Sequence, residues 1–529
     1  LKPYWLKQCV GSGWLGVPSP HTASPAMVRT VAVADGNVSL QEAHSGPREQ
    51  EEGAAVDQAH ATQPLGEDNP MKDVLDIPWA DSPTFLLDLV LVTVLGVVMG
   101  LLSVPYSWIT DEPEKTWFEK TGPEGFLKTP ETMQFRSGAL LWIPLCWAGG
   151  TAVGILKVAI GLDAYPSFIT ELRHQHVDPW ISAKVLVCCI ASLDVGATLG
   201  LEAGLGATGS ALGYLMAEAV NKVYPPAIAD PEKADLRRRT FILCGIAAGF
   251  GAILPTPFIA ACLVAEIASA GSERLSPEGE FMAGRRLPKK VLTFLVPAAT
   301  FSFVARWALD PEPMVKTPGY LLPYDNWSAV YAIGIGIFSA FVGLVFLLIQ
   351  ASCKALTVKL GGAIERCCGK AARIILLASL GGAVTGVGMY LFPLVYSSGK
   401  SCMQPTILHA KSLSTTLLIG TALAKCVTFS MGISCGLVGG LFFPAMFVGL
   451  LGGEVASRLF NLDPGLTIPI MLAAVPGSFV TAPITMLSLP VGMFVMGPLH
   501  TVAVLMGVVT SNTLLVGTGL LQRLLRKAS

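Results

Sequence analysis

The stretch KCVTFSMGISCGLVGGLFFPAMFVGLLGGE, residues 425–454, decides the fold. At its centre stand Gly439-Gly440-Leu441-Phe442-Phe443-Pro444. The paired glycines leave backbone N–H groups uncovered. Pro444 follows where a helix can start, because proline suits the first helical turn. Apolar residues then run on for a helix length. The reading is a helix that begins inside apolar surroundings, with its free N–H groups and positive dipole end aimed at a partner. A soluble loop has no need of such surroundings. A membrane protein that binds an anion at mid-depth does.

The same design occurs earlier, in KVLVCCIASLDVGATLGLE (184–202) followed by AGLGATGSALG. Lys184 lies 16 residues before Gly200, and Lys425 lies 15 before Gly440. In both, a lysine leads, mostly apolar or small residues follow, and a glycine-rich break opens a second helix. Two glycine-interrupted hydrophobic segments in matching positions of two halves point to an inverted-repeat transport protein with its site between the breaks.

Composition agrees. Of 529 residues, 52% are hydrophobic and 14% charged, against about 25% charged in a soluble domain. Mean hydropathy is +0.58, and 55 glycines suit membrane helices that pack closely or break. A net charge of −1 gives no reason to expect a nucleic-acid partner. The 12 cysteines show neither zinc spacing nor a secreted disulfide framework, and read as small buried hydrophobes.

The chain divides into a disordered polar tail (1–76), a first membrane half (77–312), a linker (313–326) and a second half (327–529) ending in a short basic tail. The expected fold is all-α: a multi-pass membrane protein of two inverted-topology repeats with broken and re-entrant helices. A first segment spans about 83–107, a soluble interlude 111–135, and a second segment 138–161. Further segments follow near 181–195, 202–223, 239–253, 256–271 and 288–308. The second half has them near 327–351, 372–397, 414–431, 441–460, 465–480, 483–496 and 499–521. Several are shorter than the roughly 20 residues of a full span, as broken helices buried in protein would be. The loop 354–373 is basic, which places it on the cytoplasmic or equivalent side.

Glu202, in Leu199-Gly200-Leu201-Glu202-Ala203-Gly204, is a carboxylate in an apolar setting at a helix start. Such a residue is a functional candidate. Free N–H groups there favour its anionic form, and a bound anion competes for the same groups. The bland alternative is a capping carboxylate. Asp194 and Glu454 read as structural pairs near helix ends. Lys184 and Lys425 read as satisfying carbonyls or snorkelling, with attraction of anions as the functional alternative. His174 and His176 lie near Glu171 without a further ligand in view, and no metal or cofactor is expected.

These residues resemble the CLC family of chloride channels and proton-coupled chloride exchangers. Gly200 to Gly204 is similar to that family's Gly-Lys/Arg-Glu-Gly-Pro motif, and Gly440-Leu441-Phe442-Phe443-Pro444 to its Gly-x-Phe-x-Pro motif. The stretch from Ala247 through Pro257 to Glu266 resembles a third segment. The resemblance implies a homodimer in the lipid bilayer with one pathway per subunit for chloride or another monovalent anion. It makes Glu202 the gating glutamate. The amides of Leu441 and Phe442 would hold a central anion, with Gly439, Gly440 and Phe443 lining it. Those around Gly200, Leu201, Ala203 and Gly204 would form an outer site.

The departures are specific. Asp163 takes the place of the family's anion-binding serine, and an ionised aspartate there would repel an anion. Leu201 replaces the basic residue before the gate, and no tyrosine follows Tyr396 where the family carries its pore tyrosine. Exchangers carry an inner proton-relay glutamate that aligns here with Ile267, one residue after Glu266. Glu266 is thus the candidate for a proton pathway, and channel-like conduction is the favoured expectation. The family's paired cytoplasmic regulatory domains are expected to be absent. Proton-coupled exchange, a non-conducting scaffold, and a cation transporter built on Asp163, Asp194 and Glu202 are the other readings. No nucleophile constellation calls for an enzyme.

Overall fold

The computed structural model describes residues 85–163, 168–223, 231–270, 291–311, 327–494 and 496–518. The expected polar tail, the 313–326 linker and the basic C-terminal tail lie outside them. The described chain is helical. The first half contains α1 (Phe85–Thr121), α2 (Trp142–Ile160), α3 (Phe168–His174), α4 (Pro179–Asp194), α5 (Glu202–Val223), α6 (Pro231–Gly251), α7 (Pro257–Ala270) and α8 (Leu292–Leu309). The second contains α9 (Ser328–Leu391), α10 (Lys400–Leu408), α11 (Thr415–Ser434), α12 (Phe442–Phe460), α13 (Pro464–Gly477), α14 (Pro483–Phe494) and α15 (Pro498–Asn512). Among the described residues, seven helices are long and apolar enough to cross a membrane.

Three elements differ from expectation. The interlude after the first segment is largely helix, because α1 continues to Thr121. Phe118 anchors this extension: it is fully buried and packs edge-on against Trp142 and Tyr396. The basic stretch 354–373 is also helical. α9 runs through it and breaks once, at Gly369, whose φ of 84° belongs to the left-handed region that glycine tolerates. Cys353, Thr357 and Gly361, spaced one turn apart, bury the inner face of that extension. Its lysines stay outside. Lastly, α10 was not expected, being nine residues long with Pro405 inside.

Lipid offers no hydrophobic force to bring apolar helices together, so close backbone contact carries the packing. Gly209 and Gly213 of α5 meet α6 so closely that an added Cβ would lie 2.1 Å from the Gly245 carbonyl oxygen and 2.0 Å from that of Phe241. Gly449 and Gly453 of α12 press on α13 at Met471 and Ile468 in the same way. Both pairs stand seven and eleven residues after the first residue of their helix. The two halves therefore repeat their contacts as well as their topology. Among the seven span-length helices α12 is the most buried: 89% of its apolar window lies inside protein, against 28% for α2 and α8. Polar clamps hold the helix ends. Arg237 bridges Asp88 and Asn221 at 3.1 and 3.0 Å, and Arg458 donates to the carbonyls of Leu413 (2.6 Å) and Ala410 (2.5 Å).

Gly245→Ala is expected to destabilise the detergent-solubilised protein by about 1–3 kcal/mol, the usual cost of overpacking. Gly334→Ala, in α9 with open space around its Cβ position, should leave the melting temperature unchanged or raise it. Thermal unfolding of the two variants side by side checks this.

Candidate functional site

The two glycine breaks meet. Gly200 N–H donates to the Gly440 carbonyl and Gly440 N–H to that of Gly200, both at 2.8 Å, as an isolated antiparallel bridge. Ser192 at the end of α4 extends the junction, its Oγ accepting from Val438 N–H at 3.0 Å. Glu202, the first residue of α5, reaches across it. Its Oε1 accepts from the amides of Phe442 and, at 3.4 Å, Phe443. Oε2 is buried with no partner. The side chain is 1% exposed.

With Glu202 in this position, a Cβ on either side would collide with its carboxyl group. An added Cβ would lie 1.9 Å from Glu202 Oε2 at Gly200 and 2.1 Å from Glu202 Cδ at Gly440. At Gly439 it would meet Leu199 at 2.4 Å. The amides facing the carboxylate are those of Phe442 and Phe443, one residue beyond the expected pair of Leu441 and Phe442. Leu441 instead precedes α12, its carbonyl accepting from Ala445 N–H at 3.2 Å. Leu201, Ala203 and Gly204 are buried in the first turn of α5 and just before it. Gly204 packs on Tyr106.

Asp163 is engaged elsewhere. Its carboxylate pairs with Lys370 at 2.9 Å and with Arg373 at 2.7 Å, and Arg373 also holds Glu365 at 2.7 Å. The hydrogen bond from Lys370, with Arg373 beside it, holds this carboxyl below its usual range. The neighbouring break, 164–167, lies outside the described residues. Glu266 caps α14: Oε1 accepts from Ile484 N–H at 2.8 Å, and Oε2 from Thr485 N–H at 2.8 Å and Thr485 Oγ1 at 2.7 Å. Glu454 pairs with Arg458 at 3.0 Å. Among the described residues, no hydrogen bond or ion pair joins Asp163, Asp194 and Glu202.

The two leading lysines part company. Lys425 is fully buried and donates to the carbonyls of Val395 (2.8 Å), Tyr396 (3.5 Å) and Ser397, with the Phe447 ring at 5.6 Å. Lys184 is half-buried, in a surface depression with Ile160, Trp180 and Val187.

Sequence reasoning missed three contributors. Tyr106 of α1 donates to the Leu201 carbonyl at 3.1 Å, a contact across 95 residues that local pattern does not reveal. Ser192 was unremarkable. Lys157, a lone cation in the apolar run of α2, carried a readable signal.

The profile of the voltage-gated chloride channel family matches residues 149–515, more than two thirds of the chain. The chain belongs to that family. Among curated relatives, the CLC family member "Chloride channel protein CLC-e" of Arabidopsis thaliana is 23% identical over 305 residues. That match covers 56% of this chain and 39% of the plant protein, so the chain spans well under two thirds of this relative. The structure of a slow cyanobacterial Cl⁻/H⁺ antiporter aligns with a TM-score of 0.61 at 18% identity, covering 83% of this chain and 98% of the other. A CLC-type fluoride/proton antiporter aligns at 0.53 and 16%, covering 81% and 95%. A eukaryotic CLC transporter aligns at 0.57 and 15%, covering 81% and 71%. At these identities the solved structures speak for the fold: a multi-pass membrane protein with the CLC inverted repeat.

Lys425→Met should cost about 1–3 kcal/mol, because it leaves carbonyls unpaired in the interior. Lys184→Met should be tolerated. Yield and monodispersity of the two variants in detergent distinguish these outcomes.

Proposed function

We propose that the protein carries a monovalent anion, chloride first, through a pathway at the Gly200–Gly440 junction, with Glu202 as its gate. One observation carries the reading. The Glu202 carboxylate lies at the N-terminus of α12 and accepts from the Phe442 and Phe443 amides. A carboxylate oxygen and a halide ask the same of those amides: a negative charge against N–H groups and a positive dipole end. An anion arriving there finds the place taken.

The gate is weakly latched. Only one carboxylate oxygen has donors, and the buried Oε2 has none. Leaving an anionic oxygen unpaired in the interior is costly, so protonation or a competing anion tips Glu202 out. An anion held by amide dipoles rather than full charges also binds loosely enough to leave. The partner of each subunit's pathway is a second copy of the chain in a homodimer.

Passive conduction is favoured over proton-coupled exchange. All three donors around Glu266 tie it to the start of α14, as a helix cap. The adjoining Ile267 is buried and cannot relay a proton.

Anion efflux from liposomes containing the protein, with external pH recorded in the same trace, tests this. Flux should be greatest at acidic pH, where Glu202 is neutral, and should leave the external pH flat. Glu202→Ala should conduct equally at all pH values. Uphill proton movement driven by the anion gradient would make the protein an exchanger, and absence of any flux would remove the transport reading.

A further inference from the structure

Lys157 stands near the C-terminal end of α2, four residues from the helix C-cap at Gly161. It is 3% exposed. Its ammonium makes one hydrogen bond, to the Gly436 carbonyl at 2.8 Å. An ammonium has three donors and no acceptor, so two remain. Among the described residues it makes no ion pair. The Asp163 carboxylate is paired with Lys370 and Arg373 rather than with Lys157.

The contrast with Lys425 is informative. That buried lysine has three carbonyls and an aromatic face around its ammonium. Lys157 has one carbonyl. A buried cation without a counter-charge is costly and marks an ion pathway when it lies inside a membrane protein. Its partner here is placed by the backbone: Gly436 belongs to the loop that leads from α11 into Gly439-Gly440 and the α12 N-terminus. Gly436 takes a φ of 90°, and a Cβ there would lie 3.0 Å from Lys157 Nζ. The positive φ favours glycine here, and the tight space above it suits a residue without a Cβ. Asp163, just past α2, and Arg373 of α9 are near enough to act on its charge.

We propose that Lys157 is an anion ligand of the pathway, receiving the ion between the Lys370–Arg373–Asp163 cluster and the amides of Phe442 and Phe443. The missing counter-charge is the transported anion itself. This assignment rests on the transport reading above and adds to it a full positive charge.

Chloride efflux from liposomes, measured over a range of chloride concentrations at constant ionic strength, tests it. Lys157→Gln keeps a donor for Gly436 and removes the charge. Its half-saturating chloride concentration should rise about tenfold or more, the worth of a hydrogen bond to a charged group. Lys157→Met replaces a buried charge by an apolar chain of similar length, a change such sites often tolerate. It should elute as a monodisperse protein and show the same weakening. Lys157→Arg should retain saturation near the wild-type concentration. If either neutral variant carries chloride with wild-type concentration dependence, Lys157 is a tether for Gly436 and the assignment is overturned. If the wild-type protein itself carries no anion, the transport reading fails and this assignment with it, so the wild-type trace separates the two failures.

Discussion

The hydrogen-bonded contact of Gly200 with Gly440 constrains everything around it. Two peptide units exchange N–H···O=C bonds at 2.8 Å in both directions, across 240 residues of sequence. The Glu202 carboxyl group occupies the space that a Cβ on either residue would take. The junction brings the first turns of α5 and α12 together and leaves their amides to be satisfied by something other than their own helices. In a hydrocarbon setting water is scarce, so that something is a side chain or an ion. Glu202 is the side chain.

The same limitation recurs through the molecule. Helix ends in lipid need polar partners, and this chain supplies them one at a time. Glu266 serves α14, Lys425 serves the carbonyls at 395–397, and Arg458 serves those of 410 and 413. Each is a buried or half-buried charge whose hydrogen-bonding capacity is largely used. Glu202 keeps an orphan oxygen beside the junction, and Lys157 makes a single hydrogen bond.

Glycine does the remaining work. Apolar helices in lipid gain little from burying more apolar surface, so they are held by contact at short range. The matched register of Gly209 and Gly213 with Gly449 and Gly453 keeps α5 and α12 in equivalent seats within the two halves. The junction at their N-termini is thereby held from behind, against α6 and α13.

Much of this was legible in the sequence. The glycine breaks, the helix starts at 202 and 442, the paired lysines and the candidate carboxylate Glu202 are local features, each visible within a few residues. The membrane class follows from composition, since few charges spread over long apolar runs admit little else. What the sequence could not decide was which distant groups meet. Lys184 and Lys425 look alike in sequence, yet one faces the surface and the other is enclosed by three carbonyls. Asp163 aligned with a place on the ion, but Lys370 and Arg373, more than 200 residues away, hold its carboxylate. The acidic stretch after 107 and the basic stretch after 354 read as loops because charge density masks helix periodicity, and only the burial of Phe118, Cys353 and Thr357 explains their helices. Local propensity and hydropathy act over a turn or two of chain. The partner of a buried charge is chosen by packing across the whole fold, and that is where the tertiary structure decided.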